Sequence, residues 1–296
     1  MPTFRETFIE TGDARIFVRH GGDGPPLVLL HGFPETHHMW REIAPILATS
    51  FRVVSLDLRG YGQSSCPPSD ATHTPYSKRV LANDVLAVME RLGYARFGAV
   101  GHDRGGRVAY RLALDHPECV DRLAVLDILV GKEAWDLADA RMALSFWPWS
   151  LLAQPAPLPE TVLEKAADAV IQDAASQWDT PPAAFPAQVR AAYAAVLGNP
   201  EHAHAICEEF RAAATIDREH DAQDAAAGRR ISCPTLVLWA ANSALDTWYG
   251  DAGGPLAIWK RWANNVKGEA VRGGHFFPEA YPAETASRLR NFLSDH

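Results

Sequence analysis

The chain has 296 residues, of which 47% are hydrophobic, and its formal net charge is −8. This length and apolar content suffice for a sizeable buried core in one large domain that carries an insertion. The acidic balance, the lack of a Lys/Arg run and the lack of a bilayer-length apolar stretch argue against nucleic acid and membranes as partners.

Short apolar runs recur along the chain and predict β-strands. The predicted strands are residues 14–19, 27–30, 52–57, 97–100, 123–126, 234–239 and 266–271. A turn and a helical stretch follow each of several later strands, which is the order of a parallel sheet with crossover helices. Residues 283–293 have the pattern of a closing amphipathic helix. We therefore predict an α/β fold with a mostly parallel sheet.

Between residues 131 and 224 the chain is rich in Ala, Trp and Pro, has helical periodicity and offers no convincing strand. Prolines in the segment 154–159 divide it into shorter helices. We therefore predict a core domain formed by residues 1–130 and 225–296, interrupted by a helical cap at residues 131–224.

Asp103 is the residue to which the sequence points most directly. It lies in Gly101-His-Asp-Arg-Gly105, between a predicted strand and a predicted helix. This is the spacing of a nucleophile elbow, where small residues flank the reactive one because the turn is tight. A carboxylate nucleophile is used against a saturated carbon with a leaving group or against an epoxide, since attack leaves an ester that water can cleave.

The ester needs a base for its hydrolysis, and His275 follows the last predicted strand in Gly273-Gly-His-Phe-Phe-Pro278. An acid should orient this histidine. Asp127 follows the predicted strand 123–126, and Asp246 is the rival after the strand 234–239. The position where many related hydrolases carry the acid after that strand holds Ser243, which favours Asp127.

The tetrapeptide His31-Gly-Phe-Pro34 follows another predicted strand. We expect its turn to present Phe33 and nearby backbone N–H groups to the site, where with the N–H of Arg104 they stabilise an oxyanion. The alternative is a plain turn at the end of the strand.

Together the motifs around His31, Asp57, Asp103 and His275 resemble the α/β-hydrolase superfamily, in the branch of epoxide hydrolases and hydrolytic dehalogenases. They are most similar to the fluoroacetate (haloacetate) dehalogenases, which also share the cap segment Trp149-Ser-Leu-Leu-Ala-Gln-Pro-Ala-Pro-Leu-Pro159. The resemblance runs over nearly the full length and implies hydrolysis of a short 2-haloacid through an aspartyl ester. It requires no metal and no organic cofactor.

The resemblance implies that Arg104 and Arg107 hold the substrate carboxylate while Asp103 attacks the neighbouring carbon. A guanidinium beside a carboxylate also lowers the proton affinity of that carboxylate. A surface salt-bridge pair is the alternative for the two arginines. A small anionic substrate is accordingly the expected partner.

The chain departs from the family where the leaving fluoride is held. The family places a His-Trp pair and a tyrosine there, whereas this chain has Pro148, Trp149 and Phe210. Trp149 keeps an indole N–H that can face the halide, and Trp147 is expected in the pocket with Phe210. Because fluoride depends most on such donors, we expect chloro- and bromoacetate to be better substrates than fluoroacetate.

Two other functions stay open. An epoxide hydrolase of the same fold is the first, although no cap tyrosine is apparent to protonate the opening oxygen. A ligand receptor with a hydrolase fold and no catalysis is the second. The resemblance and the absence of a signal peptide further lead us to expect a cytoplasmic protein that forms a homodimer.

Overall fold

The structure is a computed structural model that describes residues 2–178 and 180–295. Eight strands of these residues form one sheet in the order β1-β2-β4-β3-β5-β6-β7-β8. The strands are β1 (Phe4–Glu10), β2 (Arg15–Gly21), β3 (Pro26–Leu30), β4 (Arg52–Leu56), β5 (Phe97–His102), β6 (Val120–Leu126), β7 (Thr235–Ala240) and β8 (Val266–Val271). The α/β fold with a mostly parallel sheet is thereby confirmed.

The sheet is parallel from β4 to β8, whereas β2 pairs antiparallel with both β1 and β4. The sequence analysis missed β1, because this edge strand alternates partly buried residues with exposed charged ones and has no continuous apolar run. Arg15 and Arg19 of β2 stack on Phe8 and Phe4 of β1, respectively.

Helices follow most strands along the chain. The α-helices are α1 (Ile43–Leu47), α2 (Lys78–Arg91), α3 (Asp103–Asp115), α4 (Gly131–Asp136), α5 (Ala140–Ser145), α6 (Trp147–Leu151), α7 (Leu158–Gln177), α8 (Ala187–Leu197), α9 (Pro200–Ala214), α10 (Ile216–Ala226), α11 (Ala244–Trp248), α12 (Gly254–Trp262), α13 (Phe277–Ala280) and α14 (Pro282–Ser294). Short 3₁₀ turns lie at His37–Trp40, Thr74–Tyr76, Pro182–Ala184 and Gly250–Ala252.

Helices α4 to α10 lie in the chain between β6 and β7, and the described residues of this stretch contain no strand. We call them the inserted helices. The division into a core domain and a cap with the boundaries given above stays a prediction.

The core fills both faces of the sheet. On β3, Leu27 and Leu29 point to one apolar layer and Val28 and Leu30 to the other, as the alternation of a strand requires. All four side chains are fully buried. Such strands, buried on both faces, read as continuous apolar runs, which is why the sequence analysis could place them.

The parallel strands end at one edge of the sheet. The segments that follow β3, β5 and β6 begin with His31, Asp103 and Asp127, and residues 272–276 follow β8. In open α/β sheets the ligand site lies outside these carboxyl ends. In the described residues no helix is long and apolar enough to span a membrane. The predicted cytoplasmic location and homodimer stay predictions.

Candidate active site

Asp103 stands on the sharp turn between β5 and α3. Its φ is +45°, in the left-handed region that side chains rarely adopt. The turn needs glycine on both sides: a Cβ atom at Gly101 would overlap the Gly105 carbonyl, and one at Gly105 would overlap the carbonyl oxygens of Leu30 and His31. The chain holds Asp103 at this strained bend because backbone segments close in around it.

His275 and Asp127 form a buried pair. The Nδ1 of His275 lies 2.6 Å from Oδ2 of Asp127, whose Oδ1 accepts the N–H of Ala240 at 2.8 Å. Because Nδ1 donates to the carboxylate, the lone pair of the neutral ring is on Nε2. This Nε2 faces Asp103 with 3.9 Å to its Oδ2, too long for a direct hydrogen bond. The arrangement suits a base that acts on a water beside Asp103.

Asp246, the rival acid, lies elsewhere. Its Oδ1 accepts the indole N–H of Trp239 at 2.8 Å, and its Oδ2 accepts the N–H of Asn242 at 3.0 Å. It therefore stabilises the turn after β7. The structure brings Asp127, and not Asp246, to His275.

The carboxylate of Asp103 is held ionised. Burial by itself raises its pKa, but electrostatic interactions with His275, Arg104 and His102 and a hydrogen bond from Phe33 outweigh burial and lower the pKa below its ordinary value. The Phe33 N–H donates to Oδ1 at 2.9 Å. The helix that begins at Asp103 also directs unpaired N–H groups and a positive dipole at this end, including the N–H of Arg104.

A cavity lies above this group, between the sheet edge and the inserted helices. Its wall contains Asp103, Asp127 and His275 together with Arg107 and a largely apolar lining. The other wall residues are Phe33, Ile128, Leu129, Ala134, Met142, Phe146, Pro148, Trp149, Trp178, Phe210, Leu245 and Tyr249. An apolar cleft with a few convergent polar groups is the usual form of a small-molecule site.

Arg107 supplies the cation of this wall. Its Nη1 donates to the carbonyl oxygen of Leu129 at 2.9 Å, and its guanidinium lies on the ring of Trp149, 4.4 Å from the centroid. Its Nε has no hydrogen-bond partner in the described part of the chain. A buried guanidinium with a free donor suits a carboxylate ligand.

Arg104 is not among the residues of the cavity wall, contrary to the expectation that it lines the site beside Arg107. Its contact with the substrate carboxylate stays a prediction. Its Nε is 2.8 Å from both carboxylate oxygens of Glu209, and its guanidinium stacks on Phe210. Lys78 contacts the same carboxylate, and burial and the charge of Arg104 lower the pKa of Lys78. Among the donors of Arg104, Nη1 is the one that lacks a partner in the described residues.

The aromatic residues of the insertion also differ from expectation. Trp149 and Phe210 lie in the wall as predicted, and Phe210 packs edge-on against Phe33 at 5.4 Å. Trp147 does not: its indole N–H donates to Asp173 at 2.6 Å, so the predicted pocket role is wrong. The sequence shows the indole but not its direction, because the short helix α6 turns it away.

Sequence reasoning missed two residues of the wall. The ring of Trp178 lies 5.2 Å from that of His275, and its carbonyl oxygen accepts the His275 N–H at 3.1 Å. Tyr249 follows α11 and brings a phenol into the cavity. Neither is part of a motif, and the only signal is that both are aromatic residues near the predicted cap or a strand end.

A buried charged group lies against His275. His102 is 3.0 Å from Oε2 of Glu35 through Nδ1 and 2.9 Å from the carbonyl oxygen of His275 through Nε2. Since both nitrogens face acceptors, the ring is an imidazolium. Burial opposes the charge, but Glu35 raises the pKa of His102 to about 9. Glu279 is also buried, and burial and Glu35 raise its pKa.

Among the residues that the structure describes, none form a group of three or more His, Cys, Asp or Glu side chains that could hold a metal ion.

Comparisons with known proteins show the family to which the chain belongs. A profile of the α/β hydrolase fold family matches residues 25–277. The chain is 39% identical over 293 residues to a fluoroacetate dehalogenase from a Burkholderia species, covering 99% of this chain and 94% of the relative. It is 32% identical over 274 residues to a soluble epoxide hydrolase from Corynebacterium sp. strain C12, covering 88% of this chain and 87% of the relative.

Solved structures show the same architecture. An α/β hydrolase structure from Nostoc sp. PCC 7120 has a TM-score of 0.94 and 44% sequence identity, covering 99% of both chains. The match of the family profile and of these full-length relatives shows that the chain belongs to the α/β-hydrolase superfamily, in the family of the fluoroacetate and haloacetate dehalogenases.

Proposed function

We propose that this hydrolase cleaves the carbon–halogen bond of a short 2-haloacid and releases glycolate, or the corresponding 2-hydroxyacid, and halide. One observation carries the proposal: an ionised carboxylate at the elbow, a base paired with an acid and a guanidinium with a free donor share one cavity. The similarity to a fluoroacetate dehalogenase over nearly the full chain supports the same substrate class.

In the first half of the reaction, Arg107 pairs with the substrate carboxylate and directs the α-carbon to Asp103. Oδ2 of Asp103 attacks that carbon, a C–O bond forms, and the halide leaves with the electrons of the broken bond. Oδ1 becomes the carbonyl oxygen of the ester and stays on the N–H of Phe33. The lowered pKa of Asp103 keeps the nucleophile ionised at neutral pH.

In the second half, Nε2 of His275 takes a proton from water, and the oxygen of that water attacks Cγ of Asp103. The negative charge that develops on Oδ1 is stabilised by the N–H groups of Phe33 and Arg104. Asp127 stabilises the imidazolium through its contact with Nδ1. Collapse of the intermediate expels the product alkoxide, which takes the proton from His275. Asp103 is left as a carboxylic acid, and its proton passes through His275 to solvent, which restores the carboxylate.

The leaving halide is proposed to lie near Trp149, which lines the cavity and whose indole N–H can only donate a hydrogen bond. Pro148 and Phe210 offer no polar hydrogen there. Each missing donor costs on the order of 3 kcal/mol of transition-state stabilisation, or about a hundredfold in rate. We therefore propose bromide and chloride as good leaving groups and fluoride as a poor one.

A single-turnover reaction with bromoacetate in heavy-oxygen water tests the proposal. The heavy-oxygen label should enter the peptide that contains Asp103, since water attacks Cγ. The Asp103→Asn variant should not release bromide catalytically. Label in the glycolate alone would refute the ester route. A receptor without catalysis would release no halide at all.

Epoxide hydrolysis is the second candidate, and the phenol of Tyr249 in the cavity wall favours it. This hydroxyl could protonate an opening epoxide oxygen, a role for which the sequence analysis found no residue. The relative from Corynebacterium is an epoxide hydrolase. Formation of a diol from styrene oxide at a rate matching bromide release from bromoacetate would support this candidate over the first.

A further inference from the structure

We propose that the hydroxyl of Tyr249 donates a hydrogen bond to the substrate carboxylate and, with Arg107, forms the carboxylate clamp of the cavity. The inference rests on the proposed function, because it names the groups that recognise the acid end of the substrate. Tyr249, which lies outside the sequence motifs, would then bind the substrate carboxylate in the place that the sequence analysis gave to Arg104.

The first step is the state of the two arginines. Arg104 is 1% exposed, and the carboxylate of Glu209, itself fully buried, engages its Nε and Nη2. The charge of Arg104 is thus balanced within the protein. Arg107 lines the cavity, has no carboxylate partner in the described residues, and has a buried Nε without a hydrogen-bond partner there. A substrate anion therefore meets one uncompensated cation.

The second step is the position of the phenol. Leu245 and Tyr249 are four residues apart at α11 and its end, and both lie in the wall. The carbonyl oxygen of Tyr249 accepts the N–H groups of Ala252 and Gly254, at 3.1 and 2.8 Å, so the backbone at this point is fixed. The side chain is buried, at 6% exposure.

The third step is the hydroxyl itself. Among the described residues no side chain or carbonyl group forms a hydrogen bond with it, and its oxygen is not enclosed by protein atoms, so it is free to donate to a ligand in the cavity. The charged groups that act on the phenol are Arg107, Asp139 and Arg141, in that order. Asp139 and Arg141 pair with each other at the surface. Arg107 is therefore the charged group near the phenol that can bind the same ligand as Tyr249.

A carboxylate has two oxygens and about four acceptor positions, so it can accept from Arg107 and Tyr249 together. A neutral donor that binds a charged acceptor contributes enough for about a tenfold change in affinity. The contact exists both before and during attack at the α-carbon, since the carboxylate does not react. Its loss should therefore weaken binding and leave the chemical step nearly unchanged.

The test compares Tyr249→Phe with Tyr94→Phe, the same change before the amino end of β5, at the opposite edge of the sheet from the cavity. For Tyr249→Phe we expect KM for bromoacetate to rise about tenfold with kcat within about twofold of wild type. The kcat/KM for neutral bromoacetamide should not change. Tyr94→Phe should equal wild type in each measurement.

Binding of glycolate, measured by calorimetry, separates this inference from the proposed reaction. We expect Tyr249→Phe to bind glycolate about tenfold more weakly than wild type. If Tyr249→Phe binds glycolate more weakly but the wild-type protein releases no bromide from bromoacetate, the clamp is supported and the dehalogenase reaction is refuted. A fall in kcat that is larger for chloroacetate than for bromoacetate would place the hydroxyl at the halide and overturn the inference. Unchanged KM and unchanged glycolate binding would also overturn it.

Discussion

The pairing of His275 with Asp127 rather than Asp246 can be tested by two matched substitutions. Asp127→Asn keeps the side-chain shape and an oxygen for the Ala240 N–H, but it removes the negative charge that stabilises the imidazolium. Asp246→Asn makes the same chemical change at a carboxylate that holds only the turn after β7.

The expected magnitude follows from the geometry. The carboxylate of Asp127 is in direct contact with the ring of His275 at 2.6 Å, in a buried site. Two unit charges with centres about 4 Å apart attract by about 4 kcal/mol at an effective dielectric constant of 20. This energy acts only when His275 becomes charged, so its loss corresponds to a fall of about a thousandfold in ester hydrolysis.

The attack of Asp103 on the α-carbon needs no proton transfer, so this step should continue in Asp127→Asn. We therefore expect a burst of one bromide per enzyme in rapid-quench experiments, followed by very slow release. Intact-protein mass measurement should show a carboxymethyl group on Asp103. Asp246→Asn should turn over bromoacetate at nearly the wild-type rate.

The reasoning would be refuted if Asp127→Asn turned over many equivalents at a rate near that of wild type. It would equally be refuted if Asp246→Asn, and not Asp127→Asn, accumulated the ester. A loss of the burst itself in Asp127→Asn would show that the acid acts on alkylation, against the assignment of roles.

Three further predictions concern two buried ion pairs near the cavity and one tryptophan of its wall. Glu209→Gln leaves Arg104 buried without its counter-charge, and we expect urea denaturation to show a loss of about 3–5 kcal/mol in the free energy of unfolding. The pKa of His102 is raised by Glu35, so its contribution to stability is complete below about pH 6.5 and lost as pH rises through about 9. The stability advantage of wild type over Glu35→Gln should therefore shrink by roughly 3 kcal/mol across that window in urea titrations. Trp149→Phe should slow release of chloride more than release of bromide, measured as the ratio of kcat for the two haloacetates.

Each of these predictions has an outcome that contradicts it. A Glu209→Gln variant as stable as wild type would show that Arg104 finds another partner or water. A stability difference for Glu35→Gln that grows between pH 6.5 and 9 would reverse the sign expected for a stabilised imidazolium. An unchanged chloride-to-bromide ratio in Trp149→Phe would remove the indole from the leaving-group site.

The meeting of Asp103, Asp127 and His275, the proposed catalytic residues, could be predicted from sequence because its structural causes are local. Asp103 sits in a strand-turn-helix pattern with glycines at fixed offsets, Asp127 follows a strand that ends in a readable apolar run, and His275 follows two glycines after the last strand. Parallel strands then bring their carboxyl ends together, whatever lies between them in the chain. The edge strand β1 was missed because half of its surface faces water and carries charge.

The wall of the cavity could not be predicted in the same way. Whether Arg104 meets a substrate or Glu209, and whether Trp147 faces the pocket or Asp173, depends on how the inserted helices lie over the sheet edge. Residues more than a hundred positions apart meet there, as Arg104 and Glu209 do. Neither periodicity nor a motif indicates such a contact. The predicted roles of Arg104 and Trp147 therefore depended on the resemblance to the family, which concerns residue types and not the direction of a side chain.

The charge of the cavity gives a reason to place the haloacid before the epoxide. The wall contains one carboxylate nucleophile, Asp103, and one cation without an internal partner, Arg107, which is 5% exposed. With a haloacid, alkylation turns Asp103 into a neutral ester while the substrate carboxylate stays paired with Arg107, and the surplus negative charge leaves with the halide. With an epoxide, the same ester forms and the opened oxygen takes a proton from Tyr249, which regains one from bulk water, whose hydroxide leaves the site. Arg107 is then left in a buried site without a counter-charge. An unpaired buried charge costs about 3–5 kcal/mol. An epoxide would therefore have to overcome, at the ester intermediate, a penalty that a haloacid does not meet. Substituting Arg107 by Met should lower the rate with bromoacetate and raise the rate with styrene oxide, so the preference for bromoacetate should become smaller.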